Sequence, residues 1–98
     1  MFSKLKKKFI DNGYPVVIGE YGATNKDNLN ERLAWFDYYL TTAKSYGIPC
    51  ALWDNGVWQT RTDDNGKADY SEGYGYYNRT EQTWYFPEIT KVMIEAWE

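Results

Sequence analysis

The residue in this sequence best placed to do chemistry is Glu20, which ends the run Val-Val-Ile-Gly-Glu at 16–20 and is followed by Tyr-Gly. An apolar run that stops at a charged residue predicts a buried parallel strand, covered on both faces, with the carboxylate at its carboxyl end. This end of the strands is where α/β proteins bind and transform their ligands. Glu20 is therefore a candidate catalytic group, and the alternative is a solvated strand-end carboxylate or the partner of a helix dipole.

A second short apolar run at 48–52 ends in the same way at Trp53, with Pro49 acceptable only near its start. The chain is 19% aromatic, and an indole suits both the flat face of a sugar ring and the packing of a protein core. Composition alone does not separate these two uses, so Trp53 is a candidate binding residue, with core packing as the alternative. Asn55 and Trp58 follow it and are candidates to touch neighbouring parts of a ligand bound there, the alternative being ordinary loop packing.

Composition excludes several classes of function. With no histidine and the single Cys50, the sequence offers no Ser-His or Cys-His nucleophile, no internal disulfide and no histidine metal site, and we expect neither metal nor cofactor. A net charge of −3 disfavours nucleic-acid binding. We interpret the lysine cluster at Lys6 to Lys8 as a solvated helix face. No run is long enough to span a bilayer, and the basic start lacks the apolar region of an export signal.

Hydrophobic spacing and breaker residues predict a single small domain with the order helix 1–12, strand 15–20, helix 28–46, strand 48–53, loop 54–86 and helix 87–97. Asn28 and Glu31 have the spacing of a capping box at the start of the second helix. Asn12-Gly13 and Gly47 predict left-handed turns that end the first two helices.

The long segment 54–86 carries turn chemistry. Its Asp-Asp-Asn-Gly run at 63–66 lacks the ligand spacing of a calcium loop and predicts a tight turn. Residues 74–77 and 83–85 are candidates for a hairpin, and the acceptor motif for glycosylation at Asn78 is frequent by chance.

Strand, helix and strand in this order predict a right-handed βαβ unit, so the two strands are parallel and end at one rim. If they are neighbours, about 4.8 Å apart, Glu20 and Trp53 line one pocket. Because two parallel strands and three helices leave sheet faces and edges without cover, we expect the chain to be part of a larger fold.

Several motifs, in order and spacing, carry a resemblance: IGEYGA, GIPCALWDNG, EGYGYYNR and WYFPEI. Together they resemble the C-terminal end of glycoside hydrolase family 5, in particular its bacterial endo-β-1,4-glucanases. The resemblance implies an α/β fold, the C-terminal part of a (β/α)8 TIM barrel, with about two βα units and a preceding helix. It further implies that Glu20 ends the seventh strand as the nucleophile, that Trp53 ends the eighth as the floor of the sugar site, and that the parent enzyme is secreted.

Retaining hydrolysis needs a second carboxyl group, about 5 to 5.5 Å from the nucleophile. The family's acid/base glutamate lies in an Asn-Glu-Pro motif, which these 98 residues do not contain. Strand alternation turns Asp54 away from the indole of Trp53, and nothing in the sequence fixes the distance of Glu72 from the pocket.

We therefore expect a segment of a β-1,4-glucan hydrolase that carries the nucleophile without the acid/base and is inactive alone. The alternatives are a noncatalytic carbohydrate-binding piece and a barrel fragment that self-associates. The expected partners are β-glucan and either the missing N-terminal part of the barrel or further copies of the chain, with no nucleic acid and no membrane.

Overall fold

The computed structural model describes residues 1–59, 61–69 and 73–98. Its helices are α1 (Phe2–Lys8), α2 (Leu29–Ser45) and α3 (Pro87–Trp97), with a 3₁₀ turn at Ile10–Asn12. Its strands are β1 (Ile18–Tyr21), β2 (Cys50–Leu52), β3 (Arg61–Thr62), β4 (Ala68–Asp69), β5 (Tyr77–Asn78) and β6 (Thr83–Trp84). None of the helices described is long and apolar enough to cross a membrane.

Strands β1 and β2 pair in parallel, as the βαβ pattern predicts, with α2 as the connection. The Ile18 amide donates to the Pro49 carbonyl at 2.9 Å, and the Trp53 amide donates to the Tyr21 carbonyl at 2.9 Å. Between these two bonds the register shifts, since Ile18 lies opposite Cys50 and Tyr21 lies opposite Leu52. The two strands therefore end side by side at one rim.

One face of this sheet is covered by α2 and α3, which pack against each other. Burying apolar side chains between the helices and the sheet is the main force that holds these elements together. The buried residues of this layer are Tyr21, Phe36, Leu40, Tyr76, Ile89 and Ala96. A smaller cluster of Phe2, Ala43 and Ile48 attaches α1 to the end of α2.

The other face of the sheet is open in this chain. Val17 is 63% exposed, and Gly19 and Ala51 are exposed as well. The prediction of a strand buried on both faces is thus wrong for this chain, because its helices pack on one side only. The continuous apolar run fits a strand whose second face is covered by other elements of a larger fold.

The first predicted elements are longer than the observed ones. Helix α1 ends at Lys8, because Phe9 leaves the helical path and a 3₁₀ turn follows, while Gly13 takes the predicted left-handed conformation at φ 89°. Strand β1 begins at Ile18 instead of residue 15, since its ladder with the second strand starts with the Ile18 amide.

The second helix starts and ends close to the predicted residues, but its cap is different. The Asn28 side chain accepts a hydrogen bond from the Lys26 amide at 3.0 Å and caps no helical N–H, so the predicted capping box is wrong. Gly47, at φ 71°, follows the end of α2 as predicted. The Ile48 amide still donates to Ala43 of α2, so β2 begins only at Cys50.

Two small hairpins lie within segment 54–86. Strands β3 and β4 are joined by the predicted tight turn, where the Gly66 amide donates to the Asp63 carbonyl at 3.0 Å. Strands β5 and β6 form the hairpin predicted for residues 74–77 and 83–85, with shorter arms than expected. The Asn78 side chain caps its turn by accepting from the amides of Thr80 and Glu81, both at 3.1 Å.

Candidate functional site

A shallow pocket of about 250 Å³ opens at the carboxyl ends of β1 and β2. The residues that line it, within the part of the chain that the structure describes, are Glu20, Tyr21, Gly22, Trp53 and Tyr74. The structure therefore brings Glu20 and Trp53 together in one pocket, as the parallel pairing of their strands predicts.

Glu20 reaches this pocket through an irregularity in β1. Ile18 and Tyr21 both pack toward the helices although they are three residues apart, while their partners Cys50 and Leu52 are two apart. One extra residue is thus accommodated between them, as in a β-bulge, a feature that often re-aims a side chain beside a functional site. Regular alternation would place Glu20 on the helix side with Ile18. With the bulge, its carboxylate is exposed at the open face.

The Glu20 carboxylate has neither a hydrogen-bond nor an ion-pair partner among the described residues. Both oxygens are consequently available to a ligand in the pocket. An accessible carboxylate of this kind can attack an electrophilic carbon or accept a proton.

Trp53 reaches the same pocket by ordinary strand alternation. Cys50 and Leu52 pack against the helix layer, whereas Ala51 and Trp53 lie on the open side. The indole is 44% exposed, while its backbone is fixed by the hydrogen bond to Tyr21. A half-exposed ring on a rigid backbone is a suitable surface for the apolar face of a sugar.

The side chain of Asp54, the residue next to Trp53, is hydrogen-bonded within the loop. One carboxylate oxygen accepts from the Gly56 amide at 2.8 Å, and the other accepts from the amides of Tyr76 and Tyr77 at 3.2 and 3.1 Å. We predicted that strand alternation turns this side chain away from the indole, toward the helix layer or the turn, and its three amide partners lie in the loop. Since its lone pairs hold backbone amides, Asp54 does not supply a second catalytic carboxyl group. Glu72 lies outside the described residues.

Asn55 and Trp58 are not among the residues that line the pocket. The Asn55 side-chain oxygen accepts from the Val57 amide at 3.1 Å. The Trp58 ring stacks on Tyr85, with centroids 4.9 Å apart and planes 15° apart. In the described part of the structure, neither side chain reaches Glu20.

Residues 1–59 match the protein-family model of cellulase, glycosyl hydrolase family 5. The chain belongs to glycoside hydrolase family 5. This confirms the resemblance carried by the sequence motifs and makes the chain a member of a family of hydrolases.

Among curated relatives, the family 5 chain is 38% identical over 92 residues to endoglucanase B of Ruminococcus albus and 38% identical over 90 residues to endoglucanase A of Clostridium longisporum. These alignments cover 94% and 92% of the chain but only 20% and 16% of the two relatives. The chain thus spans a fifth or less of the length of these two endoglucanases.

Solved structures give the same result. A GH5-4 broad specificity endoglucanase from Clostridium cellulovorans superposes with a TM-score of 0.86 at 33% identity, over 99% of this chain and 26% of that one. A family 5 lichenase from Caldicellulosiruptor, solved as a mutant with cellotetraose, gives 0.84 at 35% identity, over 99% and 24%. The family 5 chain therefore matches a fragment of a (β/α)8 barrel.

Sequence reasoning missed a buried cation on α2. Arg32 is 1% exposed, and its guanidinium carbon lies 4.6 Å from the Phe86 ring centroid and 5.4 Å from that of Tyr76. None of its three side-chain nitrogens has a partner of good hydrogen-bond geometry among the described residues, so contact with the aromatic rings is the compensation that these residues provide. The available signal was its position four residues before Phe36, on the apolar stripe of α2.

Tyr76, which contacts this cation, binds the backbone of Ala23, three residues after Glu20. Its hydroxyl donates to the Ala23 carbonyl at 3.0 Å and accepts from the Ala23 amide at 3.2 Å. Burial raises the pKa of Tyr76, while the bond to Ala23 and the charge of Arg32 partly offset this rise. The hydroxyl therefore stays protonated and keeps its donor bond at neutral pH.

Tyr74 is the second missed residue, and it lines the pocket directly. The signal was a tyrosine between two glycines, Gly73 and Gly75, in a loop long enough to be functional.

Across the described ranges, no three Asp, Glu, Cys or His side chains converge in a way that could hold a metal ion.

Proposed function

We propose that this chain supplies the nucleophile half of a retaining glycoside hydrolase site that acts on β-1,4-glucan. Glu20 is the nucleophile, and Trp53 is the floor for the sugar next to the cleaved bond. The observation that carries this proposal is that both side chains line one pocket at the carboxyl ends of two paired parallel strands. As part of a (β/α)8 barrel, the chain consists of helix α1 followed by two βα units. In the proposed site, Asn55 and Trp58 contact neighbouring sugars.

The chemistry follows from the position of one free carboxylate beside an aromatic platform. An oxygen of Glu20 attacks the anomeric carbon. The bond from that carbon to the leaving oxygen breaks, and the leaving oxygen takes a proton from a second carboxyl group. The resulting glycosyl ester is then hydrolysed by a water molecule that the second group deprotonates, which restores Glu20 and retains the configuration.

The second carboxyl group is proposed to come from outside this chain. Glu20 is the only carboxylate in the described lining of the pocket, and Asp54 is held by three backbone amides. Alone, the chain should bind glucan without turning it over. A glucan ligand is supported by related structures that contain cellotetraose or cellotriose. Secretion of the parent enzyme, which the family resemblance implies, is part of the same proposal.

A second candidate follows from the open face of the sheet. Val17 is exposed there, and among the described strands β1 and β2 pair only with each other, which leaves two outer edges that other barrel strands or a second copy of the chain could cover. In that case the chain is a noncatalytic carbohydrate-binding or self-associating fragment. Light scattering distinguishes this reading, since a folded monomer at high concentration speaks against self-association.

Calorimetric titration with cellotriose tests the proposal. We expect binding by the wild-type chain, weakened by about tenfold or more in Trp53→Ala, because an aromatic platform is lost. The matched control is Trp84→Ala, an equally exposed tryptophan outside the pocket, which should bind like wild type. Turnover of soluble β-1,4-glucan, measured in parallel, should be absent. Turnover that Glu20→Gln abolishes would show a complete site within the chain and contradict the proposed division of the carboxylates.

A further inference from the structure

Among the described residues that line the pocket, Tyr74 alone comes from the long loop, and its backbone is anchored on both sides. The Gly73 carbonyl accepts from the Asn25 amide at 2.8 Å, and the Gly75 amide donates to the Val57 carbonyl at 2.7 Å. A side chain would collide with the backbone at Gly75 and would be tightly crowded at Gly73. A Cβ on Gly73 would lie 3.1 Å from the Asn25 nitrogen, and one on Gly75 would lie 2.7 Å from the Val57 carbonyl carbon.

The ring of Tyr74 also packs against Gly22, the residue that follows β1. A Cβ on Gly22, two residues after Glu20, would lie 3.2 Å from Cδ1 of Tyr74, so the ring packs directly on the glycine backbone. The loop therefore delivers a positioned aromatic wall to the pocket of the candidate nucleophile.

The two tyrosines of the pocket differ in what their hydroxyl groups contact. The Tyr21 hydroxyl points into the helix layer and donates to the Met93 sulfur at 3.4 Å. The half-buried Tyr74 has no hydrogen-bond partner among the described residues. A tyrosine hydroxyl in a partly buried position usually finds a partner, so this one is available to a ligand.

We propose that Tyr74 is a substrate-binding residue of the Glu20 pocket, with its ring as a second aromatic wall and its hydroxyl donating to a hydroxyl of the bound sugar. This inference rests on the proposed function and adds a residue and a contact to it. It makes the loop that carries Tyr74 part of the sugar site.

Two variants separate the hydroxyl from the ring. In calorimetric titrations with cellotriose, Tyr74→Phe removes one neutral hydrogen bond and should weaken binding by about 2- to 10-fold. Tyr74→Ala also removes the wall and should weaken binding by about tenfold or more. Tyr38→Phe is the matched control, because Tyr38 is 74% exposed on α2 and lies outside the pocket. Circular dichroism verifies that each variant is folded.

The outcomes separate this inference from the proposed function. Wild-type binding that depends on Trp53 but is unchanged in both Tyr74 variants overturns the role of Tyr74 alone. Binding that is weakened in Tyr74→Ala and unchanged in Tyr74→Phe overturns the hydroxyl contact. A wild-type chain that binds no cellotriose overturns the proposed function and the role of Tyr74 together.

Discussion

The two strands that form the pocket deliver their residues in different ways. In β2, alternation alone sends Cys50 and Leu52 to the helices and Trp53 to the open side. In β1, Ile18 and Tyr21 both reach the helices across an odd spacing, and the extra residue turns Glu20 outward. The difference shows that one side of the site follows from a regular pattern and the other depends on a local distortion.

The distortion gives adjacent residues opposite environments. Tyr21 is 9% exposed and stacks on Tyr39, with ring centroids 5.4 Å apart and planes 2° apart. Glu20, one residue earlier, is exposed and without a partner among the described residues. The helix side of the sheet therefore carries the stability of the chain, and the open side carries the site.

The largest expected effect tests this division between the two sides. Phe36→Ala empties a fully buried position between α2 and the sheet and should lower the free energy of unfolding by about 3–5 kcal/mol. Trp53→Ala, on the open side, should lower it by less than about 1 kcal/mol. Urea unfolding of the two variants measures both values. Similar losses would show that the open side also holds the fold.

An intermediate effect is expected at the residue that joins β2 to the loop. Asp54→Ala leaves the amides of Gly56, Tyr76 and Tyr77 without their acceptor and should cost about 2 kcal/mol of unfolding free energy. Asp54→Asn keeps one acceptor oxygen and should cost less, while Asp37→Ala on the exposed side of α2 should change stability by about 0.5 kcal/mol or less. If Asp54→Ala unfolds like wild type, other contacts hold the loop.

The smallest effect concerns the pKa of Tyr21. Burial raises this pKa above its ordinary value near 10, with a smaller contribution from Cys50, whose own pKa burial also raises. The unfolded chain therefore loses its tyrosine proton first, so the contribution to stability is complete below about pH 10 and declines as the pH rises toward the folded pKa.

Unfolding free energy measured by urea titration should thus fall by about 1 kcal/mol between pH 9 and pH 11 through Tyr21. In Tyr21→Phe, which keeps the ring and has no proton to lose, the decline should be shallower. An identical slope in the variant and the wild type would show that other groups cause the alkaline loss.

The predictability of the site differs between its two strands for a physical reason. The placement of Trp53 depends on period-two alternation, which the sequence displays directly. The bulge depends on how β1 aligns with a strand some thirty residues later, and the only local signal for it was a glycine inside a strand, Gly19. The position of Glu20 at the end of an apolar run predicted an exposed carboxylate correctly. It did not predict the bulge that exposes this side chain.

Other predictions failed where distant or competing groups decide the outcome. The partners of Arg32 are Tyr76 and Phe86, more than forty residues away, and helical periodicity contains no information about them. The capping box failed because the Lys26 amide competes for the Asn28 side chain before the helix begins. The tight turn at Asp63 was predictable because its hydrogen bonds among the described residues are local.

The central claim is that Glu20 is a nucleophile, and covalent trapping tests it most directly. A 2,4-dinitrophenyl 2-deoxy-2-fluoro-β-cellobioside loses dinitrophenolate without protonation, so attack by one carboxylate suffices, and the fluorine slows breakdown of the ester. We predict that mass spectrometry finds one fluorocellobiosyl group on the wild-type chain, mapped to Glu20, and none on Glu20→Gln. A label on another residue, or no label on a chain that binds cellotriose, would contradict the claim.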